Sequence, residues 1–326
     1  MATYRALRGV TIQTVDGDPS NLVAGDIWYN SAARKLKVRK QTAGAWSTGT
    51  SINTARYDPG NGGTSTAAII FGGHGGAPDD ETEIWNGTTW TEVADLNTAR
   101  RHLAGCGTTT AALGFGGNSA ADAVQAVAET WDGSSWTEVA DLNTARQQLG
   151  GCGTTTAALA FGGHPPDSPT TVEGEAEEFD GSSWTESGDL NTARNFLSDG
   201  GTQTAGIAVG GLTPPATGAT ETYNGSTWTE TGDLNNDTIA RRGSAGLQTA
   251  LIVFGGTGPP SAKTETFDGS SWTEVADLTR NIFDPGGAGT TTAALQIAGQ
   301  VWPPGVISWV EEWYDPVNTT ATLTSS

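Results

Sequence analysis

Side chains that usually carry metal or redox chemistry are scarce: two cysteines, three histidines and one methionine in 326 residues. Two cysteines cannot build a disulfide framework, so nothing in the chain calls for an oxidising compartment. His74, His102 and His164 form no His-x-x-x-His pair, and neither a metal nor a cofactor is expected. Basic charge is equally thin. Sixteen Lys and Arg stand against 36 Asp and Glu, a formal net charge of −20. Such a chain is repelled by nucleic acid and by anionic membrane surfaces, and neither is expected as a partner. No apolar run approaches the roughly 20 residues of a membrane-spanning helix, and no signal-peptide pattern follows Met1. The expectation is a chain made in the cytoplasm that leaves by lysis or a non-classical route, with no membrane insertion. Helical character is missing too, because 46 glycines each cost a helix interior about 1 kcal/mol relative to Ala.

What is abundant is repetition. "DLNTAR" occurs at 95–100, 141–146 and 189–194, and "GSSWTE" at 133–138, 181–186 and 269–274. Gly-Gly doublets fall at 72–73, 116–117, 162–163, 210–211 and 255–256, with Ala298-Gly299 as a degenerate sixth copy. The Trp of the "GSSWTE"-like turn lies at 46, 90, 136, 184, 228 and 272, in steps of 44, 46, 48, 44 and 44 residues. A period near 45 with strand-like content matches one four-stranded propeller blade of about 40 to 50 residues.

The second copy parses into four strands: Arg101–Gly107, Thr109–Phe115 ending at Gly-Gly, Val127–Trp131, and "WTEVADL" from Trp136. Asp132-Gly133, like the Asn-Gly and Asp-Gly pairs at 86–87, 180–181, 224–225 and 268–269, predicts a two-residue hairpin turn in which both central residues take positive φ. "DLNTAR" is then the link from the outer strand of one unit to the inner strand of the next. "SINTAR" (51–56) plays that part before the first unit, "DLNNDTIAR" (233–241) is a longer version, and "DLTR" (277–280) reads as a shortened one.

An apolar strand ending in Gly-Gly, then "EIW", "ETW", "EEF", "ETY" or "ETF", then a Trp a few residues later, resembles the kelch repeat. The resemblance spans roughly 51–326, five units clearly and the sixth weakly. It implies an all-β fold: a kelch-like β-propeller of six four-stranded blades, preceded by a short N-terminal β segment at 1–50. Closure has two readings. Either Trp46 supplies the outer strand of the last blade and the tail "NTTATLTSS" is not that strand, the favoured reading, or the N-terminal segment supplies strands to a seventh, composite blade. Some kelch-type propellers are copper oxidases with a cross-linked Tyr–Cys pair and His ligands, and that pattern is absent here.

Residues 1–50 hold 7 of the 16 basic residues. "GDIWYNSAARKLKVRKQTAGAW" (25–46) resembles a short segment of fibres and other structural proteins of tailed bacteriophages. That likeness implies a virion component attached through Trp28, Tyr29, Arg34, Lys35, Lys37, Arg39 and Lys40. The same apolar residues also suit a hairpin that simply packs.

No catalytic set emerges. Cys106 and Cys152 align with Gly62, Gly200, Ala245 and Ala288, so all six positions are small. This fits inner strands crowded at an axis and predicts buried, inert thiols. The glutamates of "WTE" (Glu92, Glu138, Glu186, Glu230, Glu274) recur with the repeat and belong on an outer edge, where charge discourages pairing between molecules. Arg56, Arg100, Arg146, Arg194, Arg241 and Arg280 either ring a face that binds an anionic glycan or tie blade to blade through loop carbonyls. Their repetition with the scaffold favours the second reading.

The loops between second and third strands share the face of the links and differ greatly from copy to copy, which marks them for partner contact. Candidate contacts are Pro165, Pro166, Pro214, Pro215, Pro259, Pro260, Trp302, Pro303, Pro304 and Trp309, the Pro-Pro pairs stiffening their loops. The functional expectation is a non-enzymatic virion protein of a tailed phage, a tail-fibre or tail-associated adhesin for a host-surface glycan or protein. It would be present in several copies or as a homo-oligomer and held to other virion proteins through 1–50. The alternatives are a head-decorating or structural virion protein without a host ligand and, more remotely, a secreted propeller enzyme.

Overall fold

A computed structural model describes residues 12–20, 26–41, 43–76, 79–119, 121–166, 171–236, 240, 243–257, 262–302, 305–315 and 318–322. Among these there is no helix. The chain divides into two compact units, 1–45 with 315–326, and 46–314. In the smaller unit β1 (Gln13–Val15) runs parallel to β2 (Ile27–Asn30), which pairs antiparallel with β3 (Lys35–Gln41). Asp18 knits this sheet together. Its carboxylate accepts from Trp28 Nε1 (3.1 Å) and Asn30 Nδ2 (2.7 Å), and pairs with Lys37 Nζ at 2.6 Å.

The larger unit consists of six four-stranded sheets. The first is β5 (Gly60–Thr64), β6 (Ala67–Phe71), β7 (Thr82–Trp85) and β8 (Trp90–Glu92), and β4 (Ala45–Thr48) precedes it in the chain. The second is β9 (Ala104–Thr108), β10 (Ala111–Phe115), β11 (Ala128–Trp131) and β12 (Trp136–Glu138). The third is β13 (Gly150–Thr154), β14 (Ala157–Gly163), β15 (Glu173–Phe179) and β16 (Trp184–Glu186). The fourth is β17 (Ser198–Thr202), β18 (Ala205–Val209), β19 (Thr220–Tyr223) and β20 (Trp228–Glu230). The fifth is β21 (Gly243–Leu247), β22 (Ala250–Phe254), β23 (Thr264–Phe267) and β24 (Trp272–Glu274). The sixth is β25 (Gly286–Thr290), β26 (Ala293–Val301) and β27 (Gly305–Tyr314), with β4 as its outer strand.

Inner strands pack in succession, β5 on β9 and so on to β21 on β25, and β25 returns to β5. Sheets closed in such a ring are the arrangement of a β-propeller. The tail strand β28 (Asn318–Thr322) does not join the sixth sheet; it pairs with β3 in the smaller unit.

Apolar burial between neighbouring sheets repeats faithfully. Where a Phe precedes the Gly-Gly, as in every sheet of the first five but the fourth (Val209), it lies against the outer-strand Trp of the next sheet: Phe71 on Trp136 at 4.7 Å between ring centroids, Phe115 on Trp184 at 5.1 Å, Phe161 on Trp228 at 4.8 Å. Trp46 meets Phe254 in the same way at 4.9 Å. Its Nε1 donates to Thr264 Oγ1 (3.1 Å), just as Trp136 donates to Thr82 and Trp272 to Thr220. Trp46 is thus the outer-strand Trp of the sixth sheet.

The hairpin turn differs from the one expected. Trp131 pairs with Trp136, leaving four residues in the loop, and only Gly133 takes a positive φ (96°). Asp132 instead accepts the backbone N–H groups of Ser134 (2.8 Å) and Ser135 (2.9 Å) on Oδ1. The aspartate caps the turn with its side chain, an Asx arrangement that a two-residue turn has no room for. Outer strands are also shorter than "WTEVADL" predicts, because Asp141 turns back to accept from Ala128 N (3.3 Å).

Candidate functional site

Each letter of "DLNTAR" that repeats has a structural partner. In the crossing into the second sheet, Asp95 Oδ1 accepts from Thr82 N of the sheet being left (3.3 Å), and Leu96 is buried. Asn97 donates its backbone N–H (2.7 Å) and its amide (2.8 Å) to Glu129 Oε2 of the sheet being entered. Arg100 Nη2 pairs with Glu129 Oε1 at 2.9 Å, and Nη1 donates to Gly116 O (2.9 Å) and Val127 O (2.6 Å). Arg100 O accepts from Gly73 N of the preceding sheet (2.8 Å). The approach is close enough that a Cβ on Gly72 would sit 2.6 Å from that carbonyl, which is the physical reason for the Gly-Gly.

Arg56 with Glu83, Arg146 with Glu177 and Arg194 with Glu221 repeat the pair, and all these side chains are buried. Burial drives the affinity of Arg100, Arg146 and Arg194 for their protons down while the glutamates oppose the shift. These arginines cannot meet a ligand. Their guanidinium groups hold the sheet they enter, and the tie between sheets is made by their backbone carbonyls. Nothing in the repeat marks the Glu of "EIW" and "ETW" as the partner of the arginine; the available signal is its constant place seven residues before the outer-strand Trp, as in Glu129 and Trp136.

The sixth crossing is different. It is not shortened: Gly256 N donates to Ile282 O (2.8 Å) where Gly73 N donates to Arg100 O, so Asp277–Ile282 matches Asp95–Arg100 residue for residue. Ile282 occupies the arginine position, buried. Glu311 receives Thr279 N and Thr279 Oγ1, both at 2.9 Å. The buried Gln296 amide donates to Ala298 O, the counterpart of the Gly116 carbonyl that Arg100 serves. Arg280 is thereby released to the surface, its Cζ 4.1 Å from the ring centroid of Trp309. Arg241 lies outside the described residues.

Two concave sites stand out among the described residues. One is the axial channel, which opens on the link face in a cavity of about 100 Å³ rimmed by Asp58, His102, Gln148, Phe196 and Asp284. All five take positive φ, and their backbones form a chain of hydrogen bonds round the axis: Asp58 N to Asp284 O, His102 N to Asp58 O, Gln148 N to His102 O, Phe196 N to Gln148 O. His102 Nε2 lies 2.7 Å from Asp58 Oδ2, and Nδ1 lies 3.2 Å from Asn118 Oδ1. With an oxygen beside each ring nitrogen, His102 is fixed in the rim.

Lower in the channel, Asp199 Oδ2 accepts from Gly151 N (2.8 Å), and its own N–H reaches Ser244 Oγ (3.2 Å). Desolvation raises this carboxyl to about 7. The far mouth, about 140 Å³, is lined by Gly62, Cys106, Cys152, Gly200, Ala245 and Ala288 among others. Both thiols are buried and free. Burial and the nearby Asp199 push Cys106 up to about 12, and Cys152 is raised as well, so neither supplies a thiolate at neutral pH.

The other concavity is a surface cleft of about 410 Å³ between the fifth and sixth sheets, lined by Ala262, Thr279, Arg280, Asn281, Val301, Trp302 and Trp309. It arises where β26 and β27 run past the Ala298 bulge to pair Val301 with Gly305, carrying Trp302 outward to 80% exposure and Trp309 to 37%.

The remaining sequence candidates do not gather into one site. Pro165 is half-buried, while Pro166, Pro214 and Pro215 are exposed on separate loops; Pro259, Pro260, Pro303 and Pro304 lie outside the described residues. In the smaller unit Trp28 is buried, Tyr29, Arg34 and Lys35 are exposed, and Lys37 and Arg39 are partly covered. The side chain of Lys40 lies outside the described residues. The "WTE" glutamates sit exposed on the outer strands.

No family model matches the sequence, and no curated protein matches it. The fold does have solved relatives. A structure titled "Structure of YjhT" superposes with a TM-score of 0.66 at 11% identity, over 84% of this chain and 99% of that one. At that identity the likeness is one of fold.

Proposed function

We propose that the chain is a six-bladed, kelch-like propeller carried on the particle of a tailed bacteriophage. In this reading it is a non-enzymatic tail-fibre or tail-associated adhesin, made in the host cytoplasm and present in several copies. The smaller unit is held by other virion proteins, and the link face meets a host-surface glycan or protein. The observation that carries this reading is the contrast on the link face. Among the described residues, the repeated arginines are consumed by buried glutamates, whereas the crossing whose arginine position is Ile282 puts Trp302, Trp309 and Arg280 on the surface. Large exposed aromatics next to a cation are the composition of contact sites. Copies repeated on a particle let weak single contacts hold.

Immunogold electron microscopy of purified particles, with antibody against 51–326, tests the assignment. Label on the tail tip or fibres is the expected result. Label spread over the head makes the chain a decorating protein without a host ligand, and no label removes it from the virion.

A further inference from the structure

We propose that the Trp302–Trp309 cleft is a subsite for a sugar ring bearing a carboxylate, with Arg280 as its anchor. The proposal deepens the adhesin reading and rests on it for its biological meaning. Its first support is charge. Among the described cations of the larger unit, Arg56, Arg100, Arg146 and Arg194 are buried with glutamates, Arg101 pairs with Asp122, and Lys263 lies near Glu274 and Asp277. Arg280 is exposed and forms no ion pair with a carboxylate among these residues. In a chain of net charge −20, a cation beside a cleft with no carboxylate partner among the described residues is a place for an external anion.

The second support is geometry. The Arg280 Cζ lies over the Trp309 ring, 4.1 Å from its centroid, and among the described residues no acceptor takes a hydrogen bond from its N–H fork. That fork matches the two oxygens of a carboxylate, and the stacking holds it ready. The third is the shape of the partner surface. Trp302 stands 80% exposed across the cleft, a flat apolar platform suited to the C–H face of a pyranose ring. The exposed Asn281 amide lies at the rim, where ring hydroxyls project. A peptide adding as a further strand would need a free edge, but the backbone at Val301 is already paired with Gly305. The volume, about 410 Å³, falls in the range of small-ligand sites and takes one or two sugar rings.

The test uses the full chain, fluorescently labelled, on an array of hexuronate- and keto-acid-containing oligosaccharides printed beside neutral counterparts of the same backbone. Hits are followed by titration with Trp302→Ala, Arg280→Gln and Arg280→Lys. Expected are signals for carboxylate-bearing glycans at least tenfold stronger than for their neutral partners. Arg280→Gln should erase that preference, Arg280→Lys should keep part of it, and Trp302→Ala should weaken acidic and neutral glycans alike by about tenfold. Absence of acid-selective signal, or selectivity that survives Arg280→Gln, overturns the proposal. Binding to intact host cells separates this from the wider reading. Cell binding by wild type that Arg280→Gln and Trp302→Ala both retain overturns the subsite and leaves the adhesin. Acid-selective glycan binding without cell binding supports the subsite and removes the adhesin.

Discussion

The crossing into the second sheet and the crossing into the sixth make the same step over the same number of residues with different chemistry. In the second, Arg100 and Asn97 converge on Glu129, Arg100 also serves the Gly116 carbonyl, and the arginine is closed to solvent. In the sixth, Thr279 and Gln296 divide those duties, Ile282 fills the arginine's place, and Arg280 faces outward. The difference teaches that the repeated letters are structural and that new surface appears where they are replaced. A buried carboxylate needs donors, but it does not need a particular donor. Once a threonine serves the carboxylate and a glutamine serves the bulge carbonyl, the arginine is free for other work.

The sharpest way to break that comparison is to remove an arginine that the ring does use. Arg100→Ala leaves the Glu129 carboxylate buried with only Asn97 to satisfy it, and loss of one member of a buried pair costs about 3–5 kcal/mol. Urea unfolding of the variant should show a midpoint far below that of wild type. Replacing Glu129 as well with Leu should not restore stability, because the Asn97 N–H then loses its acceptor. Full recovery by the double variant would mean that the glutamate serves only the arginine.

Closure of the ring gives a second test of similar size. Trp46 makes the contacts of an ordinary outer-strand Trp, on Phe254 and Thr264. Trp46→Ala and Trp136→Ala should therefore cost about the same, roughly 3–5 kcal/mol each. A much smaller loss for Trp46 would show that the sixth sheet holds without β4.

Much of this was legible in the sequence. The Trp spacing located every outer strand, and the small residues at Cys106 and its equivalents located the axis. What escaped is instructive. The Asp-Gly pairs suggested two-residue turns, but the Ser-Ser that follows lets Asp132 cap a four-residue loop. "DLTR" looked shortened because the eye followed the arginine. The backbone register, fixed by Gly256 N on Ile282 O, shows that the arginine moved while the length stayed. The channel rim was not visible at all, since Asp58, His102, Gln148, Phe196 and Asp284 share a backbone conformation and no chemistry. The Trp302–Trp309 cleft was half seen: both residues stood out as aromatics, but their partner Arg280 was grouped with the scaffold arginines.

The channel offers a test of intermediate size. Asp199 has its carboxyl raised to about 7 by desolvation, above the ordinary value near 4. The folded state therefore prefers the protonated form. The stabilisation is fully present below about pH 4 and is lost as pH rises through 7. Asp199→Asn removes that dependence. Relative to wild type, the variant should gain stability between pH 5 and pH 8, by about 2 kcal/mol once water in the channel is allowed for. Parallel pH profiles for the two proteins would show that Asp199 is ionised and solvated throughout.

The smallest effect is the most telling. Arg280→Ala and Trp302→Ala touch residues that the ring does not use, so they should shift stability by no more than about 0.5–1 kcal/mol, the size of an exposed cation–π contact. The comparison is then complete within one chain. An arginine of the same link that is buried should cost several times more than one that is exposed two residues earlier in the register. If Arg280→Ala proved as costly as Arg100→Ala, the sixth crossing would depend on its arginine after all. The cleft would then be scaffold, and the glutamine and isoleucine would not have replaced what the other crossings require.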